Sequence, residues 1–122
     1  MLTELFLILV LLQIKHWYID FVNQSNEEVQ WKGTYLDWRG IKHSLKQGLG
    51  TAVCLWIFVG IPLAVVLGFI DFLIHYHIDW GKMNINKKYG YTVQDPKFWT
   101  WLGADQMAHQ FTYIFLVWVL FI

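Results

Sequence analysis

Histidine and aspartate recur at a spacing of four residues in three separate parts of the chain. The three pairs are His16 with Asp20, His75 with Asp79, and Asp105 with His109. Residues four apart lie on one face of an α-helix, so each pair can present an imidazole and a carboxylate together. These groups are the ligands of divalent transition metals such as Zn, Mn or Fe. The spacing therefore predicts a metal centre wherever the helices bring the pairs together.

Several further polar residues accompany these pairs. His43 supplies a lone imidazole and completes the set of candidate ligands. Asp71 precedes His75 by one turn and is a weaker candidate, whereas His77 points to another helix face and is expected at the interface. Three residues flank the ligands and can orient them or hold an anionic group: Gln24, Gln106 and Lys82. The set exceeds the needs of one tetrahedral ion, which predicts two ions, or carboxylates that orient ligands or act as a general base.

The same pattern has metal-free explanations. Asp–His pairs on neighbouring helices can bond one another and hold a bundle together, or relay protons. They can also be unconnected side chains at a membrane interface. Cys54 lies in an apolar stretch without a ligand neighbour, which indicates packing. An aromatic stripe near the C-terminus indicates contact with lipid or core: Phe111, Tyr113, Phe115 and Trp118.

The composition is that of a membrane protein. Of 122 residues, 57% are apolar and only 15% are charged, against roughly a quarter in soluble proteins; the mean hydropathy is +0.39. Nine basic and nine acidic residues cancel, which argues against a nucleic-acid partner, and one cysteine cannot form an internal disulfide. The chain carries no nucleophilic serine motif, phosphate loop or nucleotide fingerprint. A small integral membrane protein remains.

Four helices account for the pattern, over residues 2–22, 37–59, 62–82 and 97–122. Each is about 30 Å or longer at 1.5 Å per residue, which is enough to cross a bilayer. The first predicted helix resembles a signal peptide poorly. Glu4 occupies the N-terminal region that is positively charged in signal peptides, and Lys15 follows the apolar run instead of preceding it. We expect it to remain as a helix.

The number of spans depends on Gly60-Ile61-Pro62. Proline is unfavourable inside a helix and favoured at its start, so this tripeptide predicts a turn between two helices. The alternative is one kinked helix over 51–70, which gives three spans. With four antiparallel spans all nine basic residues lie on one side, as the positive-inside rule requires. The predicted fold is thus an all-α antiparallel bundle of four transmembrane helices, a single domain over 1–122.

This arrangement places the chemistry at one end of the bundle. Antiparallel packing brings the four polar helix halves together at the cytoplasmic face, and both termini lie on the non-cytoplasmic side. Six tryptophans cluster near the same end, as in an interfacial belt: Trp17, Trp31, Trp38, Trp80, Trp99 and Trp101. Polar loops at 23–36 and 83–96 are expected to cover this cytoplasmic mouth.

The ordered motifs resemble a known family. They are His16-x3-Asp20-x3-Gln24, His43, His75-x3-Asp79-x2-Lys82 and Asp105-Gln106-x2-His109. The pattern resembles domain of unknown function 3307, a family of small bacterial and phage membrane proteins, and a weaker likeness extends to membrane-bound metal-dependent hydrolases. The resemblance implies a polytopic bacterial inner-membrane protein, often phage-encoded, without an established activity. The short middle hairpin, Asp71 and His77 depart from the family pattern.

Two functions follow from these observations. The first is a metal-dependent hydrolase that cleaves a phosphoester or acyl ester of a lipid-like substrate at the cytoplasmic face. The second is a non-catalytic membrane subunit, phage-encoded on the family resemblance, that binds or modulates another membrane-protein complex or a second copy of itself. An open coordination position with a path for substrate favours the hydrolase, whereas closed four-ligand coordination favours the subunit.

Overall fold

The protein is entirely helical. A computed structural model describes all 122 residues and contains five α-helices and one π-helical turn. In chain order they are α1 (Leu2–Trp17), the π-helical turn (Tyr18–Val22), α2 (Asn26–Trp31), α3 (Trp38–Val59), α4 (Ile61–Tyr89) and α5 (Pro96–Leu120). The all-α prediction is confirmed.

The chain reverses direction at Gly60, where the sequence predicts a turn. Gly60 has a φ of 82°, and Pro62 lies in the first turn of α4. Helices α3 and α4 then pack against each other along their length. Their backbones nearly touch, since a Cβ built on Gly68 would lie 2.5 Å from the carbonyl oxygen of Gly48. Glycine at both positions permits this close approach.

The structure differs from the prediction in the end of one helix and in the content of one loop. Helix α4 does not end at Lys82 but continues to Tyr89, because no glycine or proline lies between Lys82 and Gly90. Gly90 has a φ of 67°, a left-handed conformation that commonly ends helices. The loop predicted over 23–36 also contains a short helix, α2. Ser25 and Glu28 form a capping box at its start.

Burial divides the bundle into an apolar half and a polar half. Eight residues form a hydrophobic core in the apolar half, with Cys54 packed against them as predicted: Ile8, Leu12, Leu55, Ala64, Leu67, Tyr113, Leu116 and Val117. Across the whole chain, 15 buried residues are polar or charged and nine are hydrophobic. Many large apolar side chains face outward, among them Ile57 at 74% and Val53 at 69% exposure. The interior is therefore more polar than the lateral surface.

Two helical segments are long and apolar enough to cross a membrane, judged by length and composition. They are Leu2–Val22 and Ile61–Tyr89. The first joins α1 to the π-helical turn, and the second is α4. They correspond to the first and third of the four spans predicted from the sequence.

Candidate metal centre

Four buried ligand-type side chains meet in the polar half of the bundle. Asp20 comes from the π-helical turn, His43 from α3, and His75 and Asp79 from α4. Ligand atoms of these four residues all lie within 4.8 Å of one another. None of the four side chains is more than 6% exposed. We call these residues the primary group.

Distances within the primary group match those around a tetrahedral ion. Ligands held 2.0–2.1 Å from zinc lie about 3.3 Å from one another. Nε2 of His43 lies 2.9 Å from Oδ1 of Asp20 and 3.3 Å from Oδ2 of Asp79. Nε2 of His75 lies 3.5 Å and 3.1 Å from the same two oxygens, and the two Nε2 atoms are 3.4 Å apart. The four side chains are thus close enough together to hold one divalent ion.

Asp79 provides an independent indication of a cation. Its Oδ2 atom is buried and accepts no hydrogen bond, and Nζ of Lys32 lies 3.6 Å from it. A buried charged oxygen that accepts no hydrogen bond is costly, by about 1–3 kcal/mol or more. A metal ion bound by the primary group would neutralise it at shorter range than Lys32 does.

Asp79 also belongs to a second ligand group, with Asp105 and His109 of α5. Its Oδ1 atom lies 3.1 Å from Nε2 of His109, whereas Oδ2 faces the primary group. The same nitrogen of His109 lies 3.5 Å from Oδ2 of Asp105. Asp79 therefore presents one oxygen to each group. A shared carboxylate of this kind can bridge two ions, as in two-metal hydrolytic sites.

The π-helical turn positions Asp20. The backbone N–H of Asn23 donates to the carbonyl of Tyr18, five residues earlier, at 2.8 Å. This wider turn carries Asp20 into the bundle, where Nε2 of Gln47 donates to its Oδ1 atom at 2.7 Å. Single π-helical turns occur often at functional sites.

His16 lies beside the ligands but belongs to neither group. Its Nε2 atom lies 2.8 Å from Oε1 of Gln106 and 3.5 Å from Oδ2 of Asp20. Its Nδ1 atom lies 2.8 Å from the hydroxyl of Tyr113, and its ring centroid is 5.0 Å from that of His109. In this arrangement His16 contacts residues around the ligands through both ring nitrogens.

A buried polar network adjoins the ligands on the apolar side. Nζ of Lys15 donates to Oε1 of Gln47 at 2.8 Å, to Oδ2 of Asp71 at 3.2 Å and to the hydroxyl of Tyr113 at 3.1 Å. The hydroxyl of Thr51 donates to the same oxygen of Asp71 at 2.5 Å. Asp71, a weaker candidate in the sequence, is therefore the partner of Lys15 and lies in neither ligand group.

The sequence placed Lys15 only among the nine basic residues on one side of the bundle, and Tyr113 only in the aromatic stripe. Gln47 was not singled out. Their contacts join residues 32 to 98 positions apart in the chain. The spacing of residues within one helix cannot predict such contacts.

Glu28 is a further residue that sequence reasoning missed. Its Oε1 atom lies 3.6 Å from Nδ1 of His43 and 2.5 Å from Nζ of Lys46. A carboxylate beside the second nitrogen of a ligand histidine commonly orients the ring. Burial raises the pKa of Glu28, but bonds from Lys46 and Ser25 outweigh it and lower the pKa to about 2. The Ser-x-x-Glu signature of a capping box could have identified this residue.

Two lysines lie beside the ligand carboxylates. Nζ of Lys32 lies 3.6 Å from Oδ2 of Asp79, and Nζ of Lys82 lies 3.3 Å from Oδ2 of Asp105. Burial lowers the pKa of Lys32, but the attraction of the nearby aspartates outweighs it and raises the pKa. Lys32 is therefore positively charged at neutral pH.

A cavity of about 560 Å³ opens beside the centre, and both Asp20 and Gln106 line it. Lys82 and Gln24 line it as well, so three of the predicted flanking residues surround one space. His77, in contrast, is exposed and lies 3.0 Å from the hydroxyl of Tyr35. His77 therefore lies in neither ligand group, and its location at a membrane interface stays a prediction.

Comparison with known proteins identifies one family. A model of the family DUF3307, described as a protein of unknown function, matches residues 8–122. No curated protein and no solved structure matches the chain. The match covers the π-helical turn and every candidate ligand. The chain therefore belongs to the DUF3307 family of proteins of unknown function.

Proposed function

We propose that this protein is a membrane metalloenzyme that hydrolyses an ester of a lipid-like substrate at the membrane surface. The observation that carries the proposal is the primary group itself. Four buried ligands, from three helical elements, surround a point at distances suited to a divalent ion. One of them, Asp20, also lines the cavity of about 560 Å³. A substrate in this cavity would lie next to the ion.

The donor set suits hydrolysis. A divalent ion bound by imidazole and carboxylate supplies a water molecule of lowered pKa as the nucleophile. Asp105 lies beside this position, and its Oδ1 atom is buried without a hydrogen-bond partner. It can accept the proton that the nucleophile releases, which is the role of a general base. Lys32 and Lys82 can neutralise the negative charge that develops on the cleaved ester.

A hydrolysis assay tests this proposal. The purified protein, reconstituted in lipid vesicles, would be given a phosphomonoester and an acyl ester of the same glycerolipid, with Zn²⁺ or Mn²⁺ present. We expect hydrolysis of one ester, its loss on chelation and recovery on metal addition. The variant H75A should be inactive, whereas H77A should be active because His77 is exposed and away from the ligands. Hydrolysis unaffected by chelation or by H75A would contradict the proposal.

We further propose that the chain forms a four-span bundle in the bacterial cytoplasmic membrane, with both termini on the non-cytoplasmic side. Three observations support it: the apolar lateral surface, the polar interior and the hairpin at Gly60. The apolar outward side chains of α3 would face lipid, and its polar ones face the ligands. Lipid would then cover the surfaces that water would cover in a soluble protein.

Cysteine labelling tests this topology. In a C54A background, E27C and Q94C place single thiols at exposed sites in the two segments at the polar end, and I61C places one at the hairpin. We expect a membrane-impermeant reagent to label E27C and Q94C from the cytoplasmic face and I61C from the opposite face. Labelling of E27C and Q94C from opposite faces would favour three spans and contradict the four-span bundle.

A second function is favoured by one observation. His43 and His75 are completely buried, as ligands of a closed structural metal site are. In that case the protein is a non-catalytic subunit whose metal stabilises a bundle that binds another membrane-protein complex. Stoichiometric metal in the wild type without hydrolysis of either ester would favour this function.

A further inference from the structure

The lining of the cavity beside the metal centre has more lysines than carboxylates. It lies between the π-helical turn, α2, the C-terminal part of α4 and the start of α5. Three lysines line it, Lys32, Lys82 and Lys87, and Asp20 is the one carboxylate in its lining. Lys87 is exposed and has no ion-pair partner. Lys32 and Lys82 lie beside Asp79 and Asp105, so Lys87 is the one lysine of the lining without a carboxylate partner.

Metal binding would make the site cationic. Three carboxylates of the two ligand groups, Asp20, Asp79 and Asp105, face two ammonium groups, those of Lys32 and Lys82. With neutral imidazoles this arrangement has one net negative charge, so a single divalent ion converts it to one net positive charge. Lys87 adds a further positive charge at the cavity wall. The loaded site would therefore attract an anionic ligand.

The rest of the lining distinguishes an amphiphile from a free anion. Phe21, Val29, Phe98 and Leu102 give part of the cavity an apolar wall. Asn86 also lines the cavity. Its side-chain amide can form a hydrogen bond with a hydroxyl group of a ligand. A volume of about 560 Å³ is within the range for small-molecule sites and far larger than one phosphate ion needs.

We propose that the cavity binds the phosphate-bearing headgroup of a single-chain glycerolipid, with its phosphate between Lys82, Lys87 and the metal centre. The glycerol hydroxyl bonds to Asn86, and the acyl chain leaves along the apolar wall toward lipid. This inference rests on the proposed function, for which it specifies the substrate class as a phosphomonoester of an amphiphile. Hydrolysis breaks the P–O bond to glycerol, with water supplying the oxygen to phosphate and a proton to the released glycerol hydroxyl.

Binding measurements with a non-hydrolysable probe test the inference. The probe is the phosphonate analogue of 1-oleoylglycerol 3-phosphate, and 1-oleoylglycerol and inorganic phosphate serve as comparisons. Each would be titrated into the detergent-solubilised full chain, with and without Zn²⁺, while intrinsic tryptophan fluorescence is recorded. We expect the phosphonate to bind at least about tenfold more tightly than either comparison, because a charge-assisted bond contributes roughly 1.5–3 kcal/mol and each 1.4 kcal/mol is a tenfold change.

Neighbouring lysines provide a matched pair of variants. K87Q removes an unpaired charge that lines the cavity, whereas K88Q removes the exposed charge next to it, which does not line the cavity. We expect K87Q to weaken phosphonate binding about tenfold, the value of one charge-assisted bond, and K88Q to leave it unchanged. Both positions are on the surface of α4, so neither substitution should prevent folding.

Each remaining outcome contradicts the inference. Equal binding of the phosphonate and 1-oleoylglycerol would exclude recognition of the anionic group. Inorganic phosphate binding as tightly as the phosphonate would show that a free anion is the ligand. Equal effects of K87Q and K88Q would place the anion outside the cavity. If the protein hydrolyses an ester in a metal-dependent way but does not bind the phosphonate, this inference alone is refuted. If the protein binds the phosphonate but takes up no metal, the proposed function is refuted.

Discussion

The Nε2 atoms of His43 and His75 face each other at 3.4 Å, although the two rings come from different helices and are completely buried. Two neutral imidazoles at this distance can share at most one proton between these atoms. The carboxylate oxygens of Asp20 and Asp79 lie within 3.5 Å of both nitrogens. A cation among the four atoms satisfies all of them at once. The antiparallel hairpin of α3 and α4 creates this relationship.

Glu28 is expected to strengthen metal binding without contacting the metal. Its Oε1 atom lies 3.6 Å from Nδ1 of His43, the nitrogen that faces away from the other ligands. Loss of such an orienting carboxylate typically lowers metal affinity by about 10–100-fold. We therefore expect E28Q to weaken Zn²⁺ affinity by that factor in a competition titration with a chromogenic chelator. E27Q is the matched control, since Glu27 is exposed, and equal affinities of E28Q and E27Q would contradict this role.

Glu28 also predicts a pH dependence of stability. Its pKa is about 2 in the folded protein, below the ordinary value of 4.5, because Lys46 and Ser25 outweigh the effect of burial. The resulting stabilisation is fully present above pH 4.5 and is lost as the pH falls toward 2. Thermal unfolding with chelator present should show wild type and E28Q differing by a constant amount above pH 5. That difference should shrink below pH 4.5, and a constant difference down to pH 2.5 would contradict the prediction.

The close approach of α3 and α4 predicts a sensitive glycine. A Cβ at Gly68 would lie 2.5 Å from the carbonyl oxygen of Gly48 and 3.0 Å from Cβ of Ala52. G68A should therefore force the helices apart and destabilise the fold by about 1–3 kcal/mol, as overpacking does. Gly81 on the same helix has nothing within 4 Å of its Cβ position. G81A should be neutral or stabilising in the same thermal unfolding experiment, and equal stabilities of the two variants would contradict the packing argument.

Lys15 and Asp71 should behave as a coupled buried pair. Their side chains are 6% and 1% exposed and lie 3.2 Å apart. Removal of one partner leaves a buried charge alone, so K15M is expected to cost about 3–5 kcal/mol. Unfolding of K15M, D71N and the double variant forms a thermodynamic cycle.

We expect the double variant of Lys15 and Asp71 to be destabilised by clearly less than the sum of the two single variants. Strict additivity would show that the two side chains do not stabilise each other. Q13M is the control for K15M, because it adds the same methionine side chain to α1 at an exposed position. We expect Q13M to leave the free energy of unfolding nearly unchanged.

Local sequence signals predicted the long helices and much of the ligand set. Glycine and proline around residue 61 specified the hairpin, and the spacing of four residues specified that His75 and Asp79 share a helix face. The family assignment made from these motifs is confirmed over residues 8–122. These features depend on backbone conformation and helix periodicity, which a short segment determines by itself.

Other features depend on contacts between distant segments. The sequence did not reveal that Asp79 faces two ligand groups. Its Oδ2 atom lies beside His75, whereas its Oδ1 atom lies beside His109 only because α5 packs against α4. Nor did it reveal that Lys15 is buried against Asp71, because a lysine at the end of an apolar run is normally at an interface. The capping box that starts α2 was a local signal that sequence reasoning overlooked.

The metal content of the purified protein shows whether the primary group holds an ion. The full chain would be isolated in detergent, supplied with equimolar Zn²⁺, Mn²⁺ and Fe²⁺, dialysed and analysed for bound metal per chain. The wild type and H77A should each retain at least one ion per chain, whereas H43A and H75A should lose it, because their imidazoles belong to the primary group. Absence of metal from the wild type, or equal metal in H75A and H77A, would show that the primary group does not hold the ion.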